Sequence, residues 1–334
     1  MSADKAALKL LCWNINALVP TLRNIELKHK SLLGFFEHHG ADIACFQETK
    51  LLPDKLTREL ACVKGYESFW AISKSKKGYS GVVTYVSKRW SPVSAQCDCL
   101  GSGEGELDSE GRVIITDHGA FVLINVYVPN AGGGKGSDDR PRAAFKLQFM
   151  RALRDKVDAL HATGKQVILV GDLNIAASKQ DVHAGCDYDL MYSLEEKREL
   201  QDLLQDLTDT WRLQHPDTEN VFTVWDEKTN ARFSNRGVRI DYALLSQALL
   251  PHLVSSEVVS TPPKWSDHAA LELSLKDLEV PAAHPPCALS SSRTFPAQNT
   301  IASMFARKRS APEKGAPAAA EEPDRKHQKT EAAA

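Results

Sequence analysis

Short apolar runs rich in β-branched residues recur along the first 278 residues and alternate with amphipathic stretches. Each run is four to eight residues long and bounded by turn-forming residues, which is typical of β-strands: LKLLCW, DIACF, GVVTYVS, RVIIT, FVLINVYV, QVILV, IDYALL and ALELSL. The stretch from Val167 to Val170 is continuously apolar, which predicts a strand covered on both faces. Neighbouring runs such as RVIITDHGAFVLINVYV favour antiparallel pairing, so we expect mixed sheets.

Two amphipathic stretches predict helices that cover these strands. Apolar residues at steps of four and three between Phe145 and Leu160 form one face of a helix of about six turns. A second helix is predicted to begin at Ser193, because Ser193 and Glu196 form a capping-box pair ahead of a leucine-rich face. We therefore expect an α/β fold, a four-layered sandwich in which helices flank two packed mixed β-sheets.

The composition of the chain changes at residue 279. Beyond it, Ala and Pro dominate and large apolar residues are few, so the segment cannot bury enough apolar surface to offset the entropy of ordering it. We predict a folded domain over residues 1–278 and a disordered tail over residues 279–334.

Composition and charge exclude several protein classes. With 43% hydrophobic residues in a chain of 334, a sizeable core is expected. The chain contains no apolar run of 18 residues and no recognisable secretory signal, so we expect no membrane association. Seven scattered cysteines without a CxxC pair favour a reducing compartment. The net charge of −2 indicates no overall basic character.

Unusual polar residues follow several predicted strands, while Asp241 lies inside an apolar strand and Asp267 and His268 come immediately before one. Singly, each could be a solvated carboxylate, a turn residue or a core polar group. Together they predict one site, because an α/β scaffold can converge the loops that follow its strands. The residues are Asn14, Asn16, Glu48, Lys50, Tyr127, Asn130, Asp172, Asn174, Asp241, Asp267 and His268.

This set of side chains could hydrolyse phosphodiester bonds with the help of a metal ion. Hard oxygen ligands such as Glu48, with Asn16 or Asp267 nearby, suit Mg²⁺. An aspartate such as Asp241 can orient His268, and a protonated His268 could stabilise charge on a phosphate. Asp172 is a candidate to activate the attacking water.

The ordered motifs WNIN, QETK, GYSGV, YVPNAG, GDLN, NRGVRIDYALLS and SDH resemble the exonuclease III family of AP endonucleases, within the endonuclease/exonuclease/phosphatase superfamily. The resemblance spans about Leu8 to Leu275. It implies Mg²⁺, or alternatively Mn²⁺, bound chiefly by Glu48 with Asn16 and Asp267 in or near its water shell. It assigns catalysis to Tyr127, Asp172, Asn174, Asp241 and His268, and orientation of phosphate or water to Asn14 and Asn130.

Two departures from the family pattern bear on the substrate. The positions of a Phe and a Trp in the abasic pocket of the main animal enzyme correspond to Val224 and Val238 here, and a wedge arginine corresponds to Gly133. The pattern resembles the second eukaryotic branch. It implies 3′–5′ exonuclease and 3′-phosphodiesterase activity with weaker AP endonuclease activity. The implied substrate is double-stranded DNA with abasic sites or with damaged or recessed 3′ ends.

Basic residues and a tail motif suggest partners. Candidate DNA contacts are Lys50, Lys135, Arg140 and Arg142. Within the tail, Gln298, Ile301, Met304 and Phe305 fit the box that binds the sliding clamp PCNA, although an apolar island could arise by chance. The adjacent Arg307, Lys308 and Arg309 are compatible with nuclear import, and a mitochondrial location remains open. The acidic loop GEGELDSEG is expected to be a solvated surface loop.

Two other functions fit parts of the sequence. One is a phosphodiesterase of the same superfamily that acts on a phosphoinositide or sphingomyelin-type substrate. The other is a non-catalytic adaptor tethered to the clamp, although such an adaptor has no need of Glu48, Asp172, Asp241 and His268. We expect the protein to be a monomer.

Overall fold

Two six-stranded sheets form the centre of the computed structural model, which describes residues 4–101, 105–132 and 140–295. The first contains β1 (Lys5–Asn14), β2 (Ile43–Gln47), β3 (Tyr66–Ala71), β4 (Val82–Ser87), β13 (Leu253–Val259) and β14 (Ala270–Glu279), in the order β13-β14-β1-β2-β4-β3. The second contains β5 (Ser94–Cys97), β6 (Val113–Asp117), β7 (Val122–Tyr127), β8 (Val167–Asp172), β9 (Leu207–Asp209) and β12 (Asp241–Ser246), in the order β5-β6-β7-β8-β12-β9. A small ribbon pairs β10 (Val224–Trp225) with β11 (Gly237–Val238).

Both sheets are mixed. Strands β1 and β2 are parallel, as are β7 and β8, whereas the other pairs in the two sheets are antiparallel. The carboxyl ends of both parallel pairs carry predicted site residues, since Asn14 ends β1 and Asp172 ends β8. The mixed topology therefore delivers polar side chains from both sheets to one edge of the sandwich.

Helices cover the outer faces of the two sheets. They are α1 (Leu18–His29), α2 (Leu32–His39), α3 (Arg58–Ala61), α4 (Ala143–Ala162), α5 (Tyr188–Met191), α6 (Leu194–Asp206), α7 (Thr210–Gln214) and α8 (Ser291–Thr294). The face predicted for α4 is buried at Phe149, Leu153 and Val157. The capping box at Ser193 and Glu196 is present at the start of α6.

Three apolar layers result from this arrangement, one between the sheets and one under the helices on each side. Alternate residues of β1 enter different layers: Leu10 lies between the sheets, whereas Leu11 packs under α1 and α2. Burial on both faces explains why such strands are continuously apolar. The predicted four-layered α/β sandwich is confirmed.

One polar contact crosses the centre of the sandwich. The Gln47 amide nitrogen donates to Asn125 Oδ1 over 2.8 Å, and Asn125 Nδ2 donates to the carbonyl oxygen of Val83 over 2.9 Å. Both side chains are fully buried. Because an unpaired amide there would be costly, this contact favours one relative placement of the sheets.

Residues 280–295 pack on the domain, although the sequence predicts that a disordered tail begins at residue 279. Val280 donates its amide to the Asp4 carbonyl, His284 Nε2 lies 3.1 Å from the Ser91 carbonyl oxygen, and Arg58 donates to the Phe295 carbonyl. One backbone hydrogen bond and two contacts from side chains to backbone carbonyls thus hold a segment that has few large apolar side chains. The clamp-box residues Gln298, Ile301, Met304 and Phe305 lie outside the described residues, as do Lys135 and Gly133.

Helices in the described part of the chain are all too short or too polar to cross a membrane.

Candidate active site

Strand register brings the predicted residues of the second sheet side by side. Tyr127 pairs with Asp172 across the parallel strands β7 and β8, and Asp241 pairs with Asp172 across the antiparallel strands β8 and β12. In the first sheet, Asn14 pairs with Gln47, so Glu48 follows directly beside it. Apart from Gln47, four of these side chains lie at or directly after the carboxyl ends of β1, β2, β7 and β8, and the fifth, Asp241, begins β12.

The loops after β1, β2 and β8 turn through strained backbone. Asn16, Glu48, Lys50 and Asn174 have φ values of 55°, 54°, 48° and 54°, in the left-handed region that is unfavourable for residues other than glycine. Two of the turns are held by side chains, because the Asn16 amide donates to Asn14 Oδ1 over 3.0 Å and the Asn174 amide donates to Asp172 Oδ1 over 2.8 Å. Strain concentrated at three adjoining loops is typical of a functional site.

Gly171 allows Asp172 to reach this position. Its φ is 143°, and a Cβ built on it would lie 1.9 Å from the carbonyl oxygen of Val126. No other residue can therefore follow this backbone so close to β7. The glycine of the GDLN motif is required by the close approach of two strands.

The Asn14 side chain links the two sheets within the site. Its Nδ2 donates to Glu48 Oε1 over 3.1 Å and to Asp172 Oδ2 over 2.9 Å, and Asn14 itself is fully buried. The amide thus holds a carboxylate from each sheet in a fixed orientation.

His268 lies between two aspartates. Its Nδ1 is 2.8 Å from Asp241 Oδ2, and its Nε2 is 3.9 Å from Asp172 Oδ2. The Ser266 hydroxyl accepts the His268 backbone amide and donates to the carbonyl oxygen of Asn14. The predicted Asp241–His268 couple is present, and the SDH motif is fastened to β1.

Burial and neighbouring charged groups shift the pKa values of Asp172 and His268. Burial and the neighbouring Asp241 raise the pKa of Asp172. Burial lowers the pKa of His268, but the ion pair and hydrogen bond with Asp241 outweigh it and raise that pKa to about 10. His268 is therefore positively charged at neutral pH.

The pKa values of Glu48 and Tyr127 are shifted in opposite directions. Burial raises the pKa of Glu48, but the Lys50 ammonium and the hydrogen bonds from Lys50 and Asn14 outweigh burial, so the pKa lies below its usual value. Burial and then the charges of Glu48 and Asp172 raise the pKa of Tyr127 well above its usual value. Glu48 is an anion and Tyr127 a neutral hydroxyl.

The donor set fits a hard divalent cation. Glu48 Oε2 and Asn16 Oδ1 lie 2.9 and 2.6 Å from the Lys50 ammonium. These two predicted ligands can therefore contact the same cation. Carboxylate oxygens of Asp172 and Asp241 lie within 4.8 Å of one another, beside the charged His268. Asp241 Oδ1 is buried and has no hydrogen-bond partner in the described residues. Such an excess of carboxylate oxygen is the environment that Mg²⁺ or Mn²⁺ prefers.

A cavity of about 370 Å³ opens over these groups. Glu48, Tyr127, Asp172 and His268 line its floor together with Asn130, Asn174 and Asp267. Asn130 Nδ2 donates to Asn174 Oδ1 over 3.0 Å. Val224 and Val238 pair across the ribbon and form a small apolar wall of the same cavity. The structure thus brings the predicted pocket residues to the predicted catalytic residues.

The candidate DNA contacts that the structure describes are engaged in ion pairs. Lys50 pairs with Glu48, Arg140 with Glu196, and Arg142 with Glu110. Of the three, Arg140 also lines the cavity. Their role in binding DNA stays a prediction.

A buried arginine cluster behind Tyr127 was not predicted. Arg112 lies 4.6 Å from the centre of the Tyr127 ring and donates to the Tyr127 carbonyl oxygen. It is paired with Glu110, and its Nη2 donates to the Tyr79 hydroxyl. Arg112 is therefore positioned to fix the Tyr127 ring.

The acidic loop that contains Glu110 is not simply a solvated loop. Asp108 and Glu110 are 2% and 9% exposed, and Asp108 accepts the backbone amides of Leu100 and Gly101. The sequence signal for the cluster is weak, because Tyr79, Glu110 and Arg142 come from three separate loops.

Comparison with known proteins agrees with this geometry. The sequence profile of the endonuclease/exonuclease/phosphatase family matches residues 11–268. DNA-(apurinic or apyrimidinic site) endonuclease 2 of Mus musculus is 32% identical over 84% of this chain and 62% of its own length. The protein of the same name from Schizosaccharomyces pombe is also 32% identical, over 81% of this chain and 58% of its own length. The chain therefore spans about three fifths of the length of these relatives.

Solved structures share the fold. The catalytic domain of Xenopus laevis APE2 superposes with a TM-score of 0.72 at 26% identity, covering 85% of this chain and 96% of that domain. The 3′ phosphatase NExo from Neisseria, bound to a product DNA hairpin, superposes with a TM-score of 0.66 at 26% identity, covering 80% of this chain and 99% of NExo.

Proposed function

The chain belongs to the endonuclease/exonuclease/phosphatase family, and from this premise we propose that it is a DNA-repair nuclease. Its reactions are 3′–5′ exonuclease and 3′-phosphodiesterase cleavage, with weaker AP endonuclease activity. The observation that carries the proposal is the Asn14 amide, which joins Glu48 and Asp172 beside the His268–Asp241 pair. Glu48, Asp172 and His268 line one cavity.

The chain's own residues can serve each part of phosphodiester hydrolysis. The charged His268 binds a phosphate oxygen and stabilises the negative charge that grows in the transition state. Asp172, whose pKa is raised, is suited to accept a proton from the water that attacks phosphorus. As the bond from phosphorus to the leaving sugar oxygen breaks, the Tyr127 hydroxyl can donate a hydrogen bond to that oxygen.

Glu48, with Asn16 and Asp267, would hold the divalent cation. When bound, such a cation supplies Lewis-acid stabilisation of phosphate charge and a more acidic water. We take Mg²⁺ as the cation, with Mn²⁺ as a substitute. Asn14 keeps Glu48 and Asp172 oriented whether or not substrate is present.

Two observations support the DNA substrate and the preference for 3′ ends. Relatives over most of this chain are named for apurinic or apyrimidinic sites in DNA, and a structural neighbour is a 3′ phosphatase bound to a DNA hairpin. The pocket wall of Val224 and Val238 offers less apolar surface than aromatic side chains would, so a flipped-out abasic sugar should be gripped weakly.

The decisive assay compares DNA substrates with defined ends. We expect Mg²⁺-dependent cleavage of duplexes with recessed or blocked 3′ ends, and slower incision at an internal abasic site. Asp172→Asn and Glu48→Gln should abolish both activities, whereas Asp54→Asn, an exposed residue that does not line the cavity, should not. Absence of metal-dependent cleavage, or activity on phosphoinositide headgroups alone, would refute the proposal.

We also propose that the tail binds PCNA and that the protein acts in the nucleus, on the basis of Gln298, Ile301, Met304 and Phe305 and the basic residues beyond them. Apolar anchors of this spacing in the sequence fit an apolar groove on a partner. A double variant, Ile301→Ala with Phe305→Ala, should lose binding to purified PCNA in calorimetry and keep its nuclease rate on short DNA. Unchanged PCNA binding would exclude this motif as the anchor.

A further inference from the structure

The loop between β10 and β11, residues 226–236, presents an aromatic ring to solvent beside the catalytic cavity. The Phe233 side chain is 92% exposed, more than any other large apolar side chain in the described residues. Trp225 and Asp226 at the start of the loop and Arg236 at its end line the cavity. Exposing so large an apolar ring to water is unfavourable, which calls for a role.

Backbone hydrogen bonds brace the loop that carries Phe233. The Ala231 amide donates to the Asp226 carbonyl and the Arg236 amide donates to the Ala231 carbonyl. Ala231 is buried. These contacts fold the loop back on itself and limit the freedom of the residue that carries the ring.

Arg232, the neighbour of Phe233, ties the loop to the catalytic motif. Its guanidinium lies 4.5 Å from the centre of the Trp225 ring and donates to the carbonyl oxygens of Ser266 and Thr261. Ser266 directly precedes Asp267 and His268. The backbone that carries Phe233 is therefore anchored beside the site, which lowers the entropy of ordering the loop that a stacking contact would cost.

Charge around the ring favours a nucleic acid over a protein partner. Arg236 is exposed, and within residues 4–101, 105–132 and 140–295 it makes no ion pair with a carboxylate. The residues next to Phe233 in sequence are Arg232 and Ser234, and loop 226–236 carries three basic residues against the acidic Asp226 and Glu227. A single aromatic ring among cations is typical of surfaces that stack a base and contact its phosphate, whereas protein interfaces bury clusters of apolar anchors.

We propose that Phe233 stacks on a nucleobase of the DNA strand that enters the cavity, and that Arg236 pairs with a phosphate of that strand. The inference rests on the proposed nuclease function and adds a contact to a base outside the pocket of Val224 and Val238. The loop thereby holds the strand while the scissile phosphate lies over His268.

Binding of the full chain to a duplex with a recessed 3′ end tests the stacking contact, measured by fluorescence anisotropy in EDTA so that no cleavage occurs. Phe233→Ala should raise Kd at least about fivefold, and Phe233→Trp should keep Kd within about twofold. Leu27→Ala is the matched control, since Leu27 is 86% exposed on α1 and lines no described cavity. An unchanged Kd for Phe233→Ala, with an unchanged melting temperature, overturns the proposal.

A scan with abasic spacers separates base stacking from general apolar contact. Spacers placed one at a time along the strand should abolish the effect of Phe233→Ala at one position and leave it intact elsewhere. An effect that persists with every spacer contradicts stacking. Arg236→Ala should reduce the slope of log K against log salt by about 0.9, whereas Phe233→Ala should leave the slope unchanged; equal slopes for Arg236→Ala and wild type would overturn the phosphate contact.

Cleavage by the wild-type protein shows whether the stacking proposal alone or the proposed nuclease function has failed. If the wild-type protein cleaves DNA with Mg²⁺ but Phe233→Ala binds DNA normally, only the stacking contact is wrong. If the wild-type protein neither binds nor cleaves DNA, the proposed function fails and the stacking proposal fails with it.

Discussion

Asp172 and Asp241 stand directly opposite each other on β8 and β12, and both carboxylates are buried. Two like charges so close would repel each other. The charged His268 relieves this repulsion, because Nδ1 contacts Asp241 and Nε2 faces Asp172. The antiparallel register of β8 and β12 thus brings the two carboxylates together and sets the charge state of the site.

Asp241→Asn should lower the activity by removing the anion that keeps His268 charged. Loss of the anionic partner lowers the pKa of His268 from about 10, so less of the cation is present to bind phosphate. We expect single-turnover cleavage at pH 7.5 to slow by about 100-fold or more, and we expect the melting temperature to fall because a buried ion pair is lost. Asp189→Asn, an exposed residue paired with Lys179, serves as the control. A cleavage rate equal to wild type would contradict the role of the pair.

Asn14→Ala should slow catalysis without preventing binding of DNA. The substitution removes the two hydrogen bonds that orient Glu48 and Asp172. Losing a residue that orients catalytic groups typically costs 10- to 100-fold, so we expect a drop of about that size in kcat and a smaller change in KM. Asn24→Ala on α1 is the control, since Asn24 does not line the cavity. A change in KM alone would show that Asn14 contributes to binding instead.

Gly171→Ala should destabilise the carboxyl end of β8, an interior strand of the second sheet. The new Cβ would meet the Val126 carbonyl oxygen at 1.9 Å, and the strands cannot separate without breaking their pairing. We expect the free energy of unfolding to fall by more than about 3 kcal/mol in urea denaturation. Gly164→Ala is matched, because Gly164 also has a positive φ, 78°, but nothing lies within 4 Å of its Cβ position; its cost should be about 1 kcal/mol. Equal costs would show that φ alone matters.

Hydrophobic patterning predicts the interior strands of the two sheets and misses strands at the sheet edges. The eight predicted runs correspond to β1, β2, β4, β6, β7, β8, β12 and β14. Strands β3, β5 and β13 lie at sheet edges, where one side is unpaired and the sequence is more polar. In β3, Glu67 is buried and accepts the Ser91 hydroxyl, a tertiary contact that no local pattern reveals.

Position at the end of a strand predicts which side chains meet, because strand ends converge by topology. That argument brings Asn14, Glu48 and Asp172 together from sequence alone, whereas Asp241 stands out as an acid inside an apolar run that needs a partner when buried. Neither feature reveals Arg112, whose partners Tyr79 and Tyr127 lie 33 and 15 residues away in sequence. Contacts between separate loops leave no periodic signal, so the support behind a catalytic residue is visible only in three dimensions.

His118 should make the domain sensitive to acid independently of the catalytic site. The ring is fully buried and stacks on Phe121, with Nδ1 2.6 Å from the Trp90 carbonyl oxygen and Nε2 2.8 Å from the Thr116 hydroxyl. Burial lowers the pKa of His118 to about 4, despite the hydrogen bond to Trp90, which opposes the shift. The folded protein therefore keeps this histidine neutral well below the pH at which an unfolded chain protonates it.

The sign of the effect follows from linkage. Because the folded pKa of His118 lies below the unfolded value of about 6.5, the unfolded chain binds more protons between these values, and stability falls as the pH drops through 6.5. At pH 5 this group alone should remove about 2 kcal/mol from the free energy of unfolding relative to pH 8. Urea denaturation of wild type and His118→Gln at both pH values measures it, since the variant lacks the titrating ring. The loss between pH 8 and pH 5 should be smaller in His118→Gln by about that amount, and an equal loss in both proteins would show that His118 does not contribute.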